Sequence, residues 1–258
     1  VRLIFITGTD TGVGKTLLTS LLLAHLRGCG IRTLALKPFC SGSRADARLL
    51  RSLIDHELTL DEINPFYFPE PLAPLVAARK HRRRISMRQV LSHVSRITYH
   101  ASLIAPTLSR SNASTLRRSH APTLLLEGAG GLLAPLTQDC TALDIIRQLD
   151  CEVIVVAPNK LGTINHTLLT IRALQDGAAS NAPTLPRSHS PRSTRVVLMN
   201  RPSPDASAGS NPSILSELLA PIPVHTFPFL GPAPCRLGAI RTHASAMQQK
   251  LAALCRKP

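Results

Sequence analysis

The sequence predicts an α/β fold, a doubly wound and mostly parallel sheet with helices on both faces, of the P-loop NTPase type. Three observations predict it. Short apolar runs alternate with helical stretches along the 258 residues. The runs are continuously apolar, as strands buried on both faces are. A glycine-rich turn, GTDTGVGKT (8–16), separates the first run from the first helical stretch, which is where phosphate-binding loops occur.

The elements follow in order. Residues 3–7 form the first strand, and 15–27 a helix with a leucine-rich face. Residues 33–36 form the second strand, which ends at Lys37-Pro38. Helices are expected at 46–54 and 86–104. The apolar runs 124–126, 153–157 and 196–199 are strands, with a helix at 165–175 between the last two. A final strand at 224–227 and a final helix at 243–255 complete the pattern. The proline-rich NPFYFPEPLAP (64–74) reads as an ordered loop inside a single domain, 1–258.

An octapeptide repeat interrupts the alternation. It reads APTLSRSN (105–112), ASTLRRSH (113–120), then APTL again (121–124), with a further copy APTLPRSH (182–189) followed by SPRSTR. These stretches have no periodic apolar face and are predicted as disordered loop insertions at 105–122 and 181–194. They carry Arg110, Arg117, Arg118, Arg187, Arg192 and Arg195, six of the charges behind the formal net charge of +15. A nucleic-acid partner, which that charge would otherwise suggest, is therefore set aside.

No apolar run reaches the roughly 18–20 residues of a membrane span, and the first residues do not follow the signal-peptide pattern. The six cysteines include no C-x-x-C pair. A reduced, cytoplasmic protein without a membrane partner is the expectation.

The loop departs from the standard G-x-x-x-x-G-K-[ST] spacing. Thr9 stands where the first glycine belongs, and Gly8 comes one residue earlier. The extra residue brings Asp10 and Thr11 toward the terminal phosphate. Lys15 can reach the β- and γ-phosphates, and the Thr16 hydroxyl can ligate Mg²⁺. The alternative is a tight turn with a chance GKT. In KPFCSG (37–42), Lys37 stands at a strand's C-terminal end, where such folds bind ligands, and Ser41 offers a free hydroxyl. Lys37 is either a solvated charge or a second cation for a transferring phosphoryl group. Glu127, in EGAGG (127–131), is either a Mg²⁺ ligand or an exposed carboxylate in a glycine-rich turn. Asp46 is a weaker candidate for the same metal, or a helix N-cap.

Taken together, GTDTGVGKT, KPFCSG, NPFYFPEPLAP, EGAGG and NKLGTINHTLLT resemble the dethiobiotin synthetase family, in consistent order from about residue 3 to 230. The family's form of the loop carries this displaced glycine. The resemblance implies ATP- and Mg²⁺-dependent closure of a ureido ring from diaminopelargonate and CO₂, through a carbamate that ATP phosphorylates. By resemblance, Gly12, Val13, Gly14, Lys15, Thr16 and Leu17 bind the ATP phosphates, and Thr16, Asp46 and Glu127 hold Mg²⁺. Lys37 stabilises the carbamate with help from Lys15, and Thr11 and Ser41 contact carbamate and substrate. Gly128, Ala129, Gly130 and Gly131 approach the ligands through backbone groups. Asn200 and Arg201 lie where the adenine base is read, and Pro228, Phe229 and Leu230 where it is lined. The family is typically a homodimer, in which Asn165 at a helix start would meet the substrate carboxylate across the interface; without the resemblance, Asn165 and His166 are a capping pair. Where the family often carries a carboxylate near the ribose, this chain has GPAPCR.

Two other readings compete, the first of which shares the loop variant. Cobyrinate-type amide synthetases add a glutamine-hydrolysing domain with a nucleophilic cysteine, for which the residues after about 230 are too few. Partition or septum-positioning ATPases usually carry a lysine near the loop's start, a place taken here by GTDT.

Overall fold

The computed structural model describes residues 1–103, 121–176, 190–231 and 235–256. The first of these stretches holds β1 (Arg2–Gly8), α1 (Lys15–Gly28), β2 (Thr33–Leu36), β3 (Phe39–Ser41), α2 (Ala45–Leu53), α3 (Leu60–Ile63), β4 (Phe66–Phe68), α4 (Pro74–Lys80) and α5 (Met87–Leu103). The second holds β5 (Thr123–Glu127), α6 (Ala142–Gln148), β6 (Glu152–Pro158) and α7 (Thr163–Gln175). Then come β7 (Ser193–Met199), a 3-10 turn (Ala206–Gly209), α8 (Asn211–Leu218), β8 (Val224–Phe227), α9 (Leu237–Ala246) and α10 (Gln248–Cys255).

Six strands form one sheet in the order β2-β5-β1-β6-β7-β8, with every pairing parallel. Strands covered on both faces have no polar side to show, and β2, β5 and most of β6 are buried at every position. Helix α1 packs with α2, α9 and α10, while α5 packs with α6. Since β1 lies between β5 and β6, its C-terminal end opens at the point where the chain order reverses, the usual ligand crevice of such sheets. The register Ile6↔Glu127 sets Glu127 beside that end.

Several expectations need correction. The 64–74 stretch is not only loop: Phe66–Phe68 is a strand paired in parallel with β3, and Pro74 opens α4. Three residues are too few for a periodic signal, and the pairing is sealed by stacking of Phe39 on Phe66, with centroids 5.0 Å apart. The final helix is two helices, broken at Met247, and the first begins at Leu237. The octapeptide copies at 105–112, 113–120 and 182–189 lie outside the described residues. The proposed insertion boundaries do not hold at their ends, however. The Arg2 N–H bonds to the Pro122 carbonyl, Arg192 pairs with Asp150, and Ser193 and Thr194 belong to β7.

Arg195 is likewise not a loop charge. It lies inside β7, 4% exposed, and pairs with Glu152 at 3.0 Å. Arg2 holds the same carboxylate at 2.7 Å. Burial alone would raise the Glu152 pKa, but the Arg2 hydrogen bond and the charges of Arg2 and Arg195 more than offset it, leaving the pKa lowered. A lowered folded pKa means stability that is present above the unfolded value and lost as pH falls through the folded one. Stability is therefore expected to decline below pH 4.5, the ordinary value for this group. Glu152→Gln leaves two arginines without their shared partner and is expected to cost about 3 kcal/mol. Its urea midpoint at pH 7 should fall, and its acid-induced loss of stability should shrink. A midpoint unchanged at pH 7 would contradict the assignment.

Candidate active site

The loop after β1 begins with a packing constraint. A Cβ at Gly8 would lie 2.7 Å from Val13 and 3.1 Å from the Val156 carbonyl. The displaced glycine therefore lets the loop fold back over the strand end. Val13 is buried beneath it, at 5% exposure. Gly14 caps α1 with φ at 102°, and a Cβ there would lie 3.1 Å from Met199. Only glycine fits both constraints. Gly14→Ala is expected to cost about 1–3 kcal/mol in stability through backbone strain and to weaken ATP binding in calorimetric titration. Unchanged binding would mean that the loop's conformation is not what receives phosphate.

The loop borders a cavity of about 800 Å³. Of the residues singled out in the sequence, the cavity is lined by Thr11, Gly12, Gly14, Lys15, Thr16, Leu17, Lys37, Ser41, Asp46 and Glu127, and by the turn Gly128, Ala129, Gly130 and Gly131. The chemistry concentrates in one cluster. The Lys37 ammonium donates to Glu127 Oε1 at 2.8 Å, to Thr16 Oγ1 at 3.1 Å and to Asp46 Oδ2. The Thr16 hydroxyl lies 2.6 Å from Glu127 Oε1 and 3.0 Å from Asp46 Oδ2, and can donate to one of them. Burial pulls the Lys37 pKa down, but Glu127 and Asp46 overcome it and the net shift is upward, so Lys37 is cationic. Lys15 folds over the loop, donating to the Asp10 carbonyl at 2.6 Å. Burial lowers its pKa to about 8; Glu127 opposes that and Lys37 reinforces it.

The donor set suits a hard divalent cation. Thr16, Asp46 and Glu127 supply one hydroxyl and two carboxylates gathered around the Lys37 ammonium, an all-oxygen set that matches the preference of Mg²⁺. Glu127 Oε2 is buried with no hydrogen-bond partner among the described residues, so this carboxylate has ligating capacity to spare. The Ser41 hydroxyl, also buried without a partner among the described residues, lines the same cavity.

Residues the sequence did not mark hold the site in place. Asn64, 1% exposed, donates from Nδ2 to the carbonyls of Lys37 and Pro38 at 2.9 and 3.1 Å, fixing the turn that presents Lys37. Asn159 donates to Asn200 Oδ1 at 2.9 Å and to the Ala208 carbonyl at 3.0 Å, and accepts from Asn211. Asn200 is thereby held at the end of β7 by its side-chain oxygen. Asp205 accepts from the Leu161 N–H at 2.9 Å and ties this edge to the start of α7. The cavity's second wall is apolar, formed by Phe39, Pro71, Leu72 and Pro74.

Other candidates do not line this cavity. Val13 packs in the core. Asn165 is exposed on the first turn of α7. Asn200 and Arg201 follow β7, while Pro228, Phe229 and Leu230 follow β8. All five lie along the strand edge beyond the loop, and the Gly14–Met199 approach brings the loop next to them.

Four of the six cysteines give no support to a glutamine-hydrolysing reading. Burial pushes the thiols of Cys40 and Cys255 up to about 11 and those of Cys140 and Cys151 up to about 12, opposite to an activated nucleophile. No helix among the described residues is long and apolar enough to cross a membrane.

Comparison with known proteins agrees with the geometry. Residues 2–185 match an AAA domain family. An ATP-dependent dethiobiotin synthetase BioD of Anaeromyxobacter sp. (strain K) is 34% identical over 235 residues, covering 89% of this chain and 91% of that protein. The protein of the same name from Bacillus subtilis (strain 168) is 38% identical over 177 residues, 67% of this chain and 68% of its own. Among solved structures, the MinC:MinD cell division protein complex of Aquifex aeolicus superposes with a TM-score of 0.55 at 12% identity, covering 100% of this chain and 97% of that one. The pNOB8 ParA bound to nonspecific DNA gives 0.51 at 13% identity, covering 98% of each. At such identities the two structures share the doubly wound fold alone. By sequence, the chain belongs to the ATP-dependent dethiobiotin synthetase family.

Proposed function

We propose that this chain closes the ureido ring of dethiobiotin from diaminopelargonate, CO₂ and ATP, as the names of its relatives and its own motifs both suggest. The observation that carries this reading is the cluster of Lys37, Thr16, Asp46 and Glu127 facing Lys15 across one cavity. An anionic acceptor and an anionic triphosphate repel each other, and two cations set between them reduce that repulsion.

In this reading one amine adds to CO₂ and loses a proton, giving a carbamate. A carbamate oxygen attacks the γ-phosphorus of ATP and ADP leaves. The second amine then attacks the carbonyl carbon and phosphate departs. Lys37 holds the carbamate, with Thr11 and Ser41 beside it. Gly12, Gly14, Lys15 and Thr16 hold the phosphates, and the backbone of Gly128, Ala129, Gly130 and Gly131 approaches the diamine. The apolar wall of Phe39, Pro71, Leu72 and Pro74 suits the substrate's methylene chain. Thr16, Asp46 and Glu127 would hold Mg²⁺, which neutralises phosphate charge when bound.

Asn200 and Arg201, with Pro228, Phe229 and Leu230, take the base. The chain acts as a homodimer in which Asn165, in the first turn of α7, meets the substrate carboxylate of the partner's site, where a helix start favours an anion. We place it in the cytoplasm as a single domain, with the repeats as insertions.

The test is phosphate release from ATP with bicarbonate, with and without diaminopelargonate, and mass-spectrometric detection of the cyclic urea. Release that ignores the diamine would favour an ATPase switch and overturn the proposal.

A further inference from the structure

A large share of this chain's basic excess lies in one stretch of sequence. Between residues 71 and 103 there are seven Lys or Arg and no Asp or Glu. The stretch comprises α4, the turn after it and α5. In the turn, the Arg82 N–H bonds to the Arg79 carbonyl at 3.0 Å and the Arg83 N–H to that of Ala78 at 2.9 Å. Arg79, Arg82, Arg83 and Arg84 are all exposed there. Lys80 is paired with Glu70 at 2.8 Å, but among the described residues Arg79, Arg82, Arg84 and Arg88 form no ion pair. Arg83 is held over the Phe68 ring, 5.2 Å from its centroid.

Helix α5 extends this surface. Its apolar stripe of Met87, Val90, Val94, Ile97 and Ala101 is buried. At 3.6 residues per turn, Arg88, Ser92, Ser95, Arg96 and Tyr99 share the opposite stripe, and all five are exposed. Tyr99 is 65% exposed. Arg96 reaches Glu62 at 3.4 Å, so it is the one partly neutralised cation of the row. Arg88, Ser92, Ser95 and Arg96 border a shallow groove along the helix.

We propose that the 79–84 turn and this outer stripe of α5 bind single-stranded nucleic acid. Guanidinium groups in a row suit a phosphate backbone, and the Ser92 and Ser95 hydroxyls add phosphate donors between them. An exposed tyrosine in line with them offers a stacking platform for an unpaired base. A membrane surface fits poorly, because the apolar face that would enter it is already spent in the core. An acidic peptide would have no use for the ring. The sequence reading sets nucleic acid aside by placing the excess charge in the repeats, yet one of those arginines, Arg195, is buried in an ion pair and this stretch alone holds seven basic residues.

The test is fluorescence anisotropy of the full chain with a labelled oligothymidylate, repeated across a salt series. With about four phosphates engaged at a slope of about 0.7 each, log K should fall with log salt at about −3. The triple variant R82E/R84E/R88E should lose at least about thirtyfold in affinity and flatten that slope. Tyr99→Ala should lose about tenfold, as expected for one stacked base. Both variants should keep the parent's melting temperature and diamine-dependent phosphate release, since neither touches the cavity; loss of release would show that this face serves the reaction instead. Affinity in the triple variant within about threefold of the parent overturns the proposal. So does equal competition by polyglutamate, or capture by phosphatidylserine vesicles without binding of the oligonucleotide. Equal binding of the duplex, with Tyr99→Ala unaffected, overturns the single-strand assignment.

Discussion

Lys37→Ala is expected to lower diaminopelargonate-dependent turnover by roughly 10²–10³-fold, the range seen when one group stabilising transition-state charge is removed. The expectation follows from position. Lys37 is 9% exposed, sits at the C-terminal end of β2, and is cationic because Glu127 and Asp46 more than offset its burial. A charge so poorly screened by water acts strongly on a phosphoryl group moving nearby. ATP affinity should weaken much less, because the loop backbone and Lys15 remain. Lys37→Arg keeps the charge but not the compact ammonium geometry, and should recover only part of the turnover. Calorimetric ATP binding and steady-state turnover, measured on the same preparations, separate the two effects. Turnover in Lys37→Ala within about threefold of the parent would remove this lysine from the reaction.

Such a residue was legible because it stands in a motif at a strand end. Lys15, Thr16 and Glu127 also stand in motifs at strand ends, and the cavity brings them together with Asp46, which lies outside those motifs in the first turn of α2. Strands β2 and β8 were found with their bounds intact because prolines mark their ends, Pro38 just after β2 and Pro223 and Pro228 on either side of β8. What stayed hidden depends on distant partners. Asn64 fixes the Lys37 turn, and Asn159 fixes Asn200 from 41 positions away; neither makes a local pattern. Arg195 looked like a loop charge because its neutralising partner, Glu152, lies on another strand. The short elements β3, α3, β4 and α4 have three to seven residues each, too few to show a period. Yet β3, the loop before α4 and the start of α4 build the cavity's apolar wall, so the part of the site that would hold a carbon chain was less legible than the part that would hold phosphate.

Glu127→Gln tests the metal assignment and separates it from the role of Lys37. The carboxylate is 1% exposed, with Oε1 engaged by Lys37 and Thr16 and Oε2 buried without a partner among the described residues. Glutamine keeps the volume. If its carbonyl stays toward Lys37, its amide N–H₂ takes the place of Oε2 and offers donors where a cation needs an acceptor. If it turns the other way, those donors face the Lys37 ammonium. Both orientations remove one negative charge from a set of only two carboxylates. The Mg²⁺ concentration for half-maximal turnover is therefore expected to rise at least about tenfold, and turnover at saturating Mg²⁺ to fall about 10²-fold. Asp46→Asn should act in the same direction but less, since the Asp46 side chain is 44% exposed and water can replace part of its ligation. A thermal melt guards against misreading a folding defect as a catalytic one, because an uncompensated Lys37 would also cost stability. If Glu127→Gln folds normally and titrates with Mg²⁺ like the parent, Glu127 is a counter-ion of Lys37 alone, and the cation must be sought from the phosphates and Thr16.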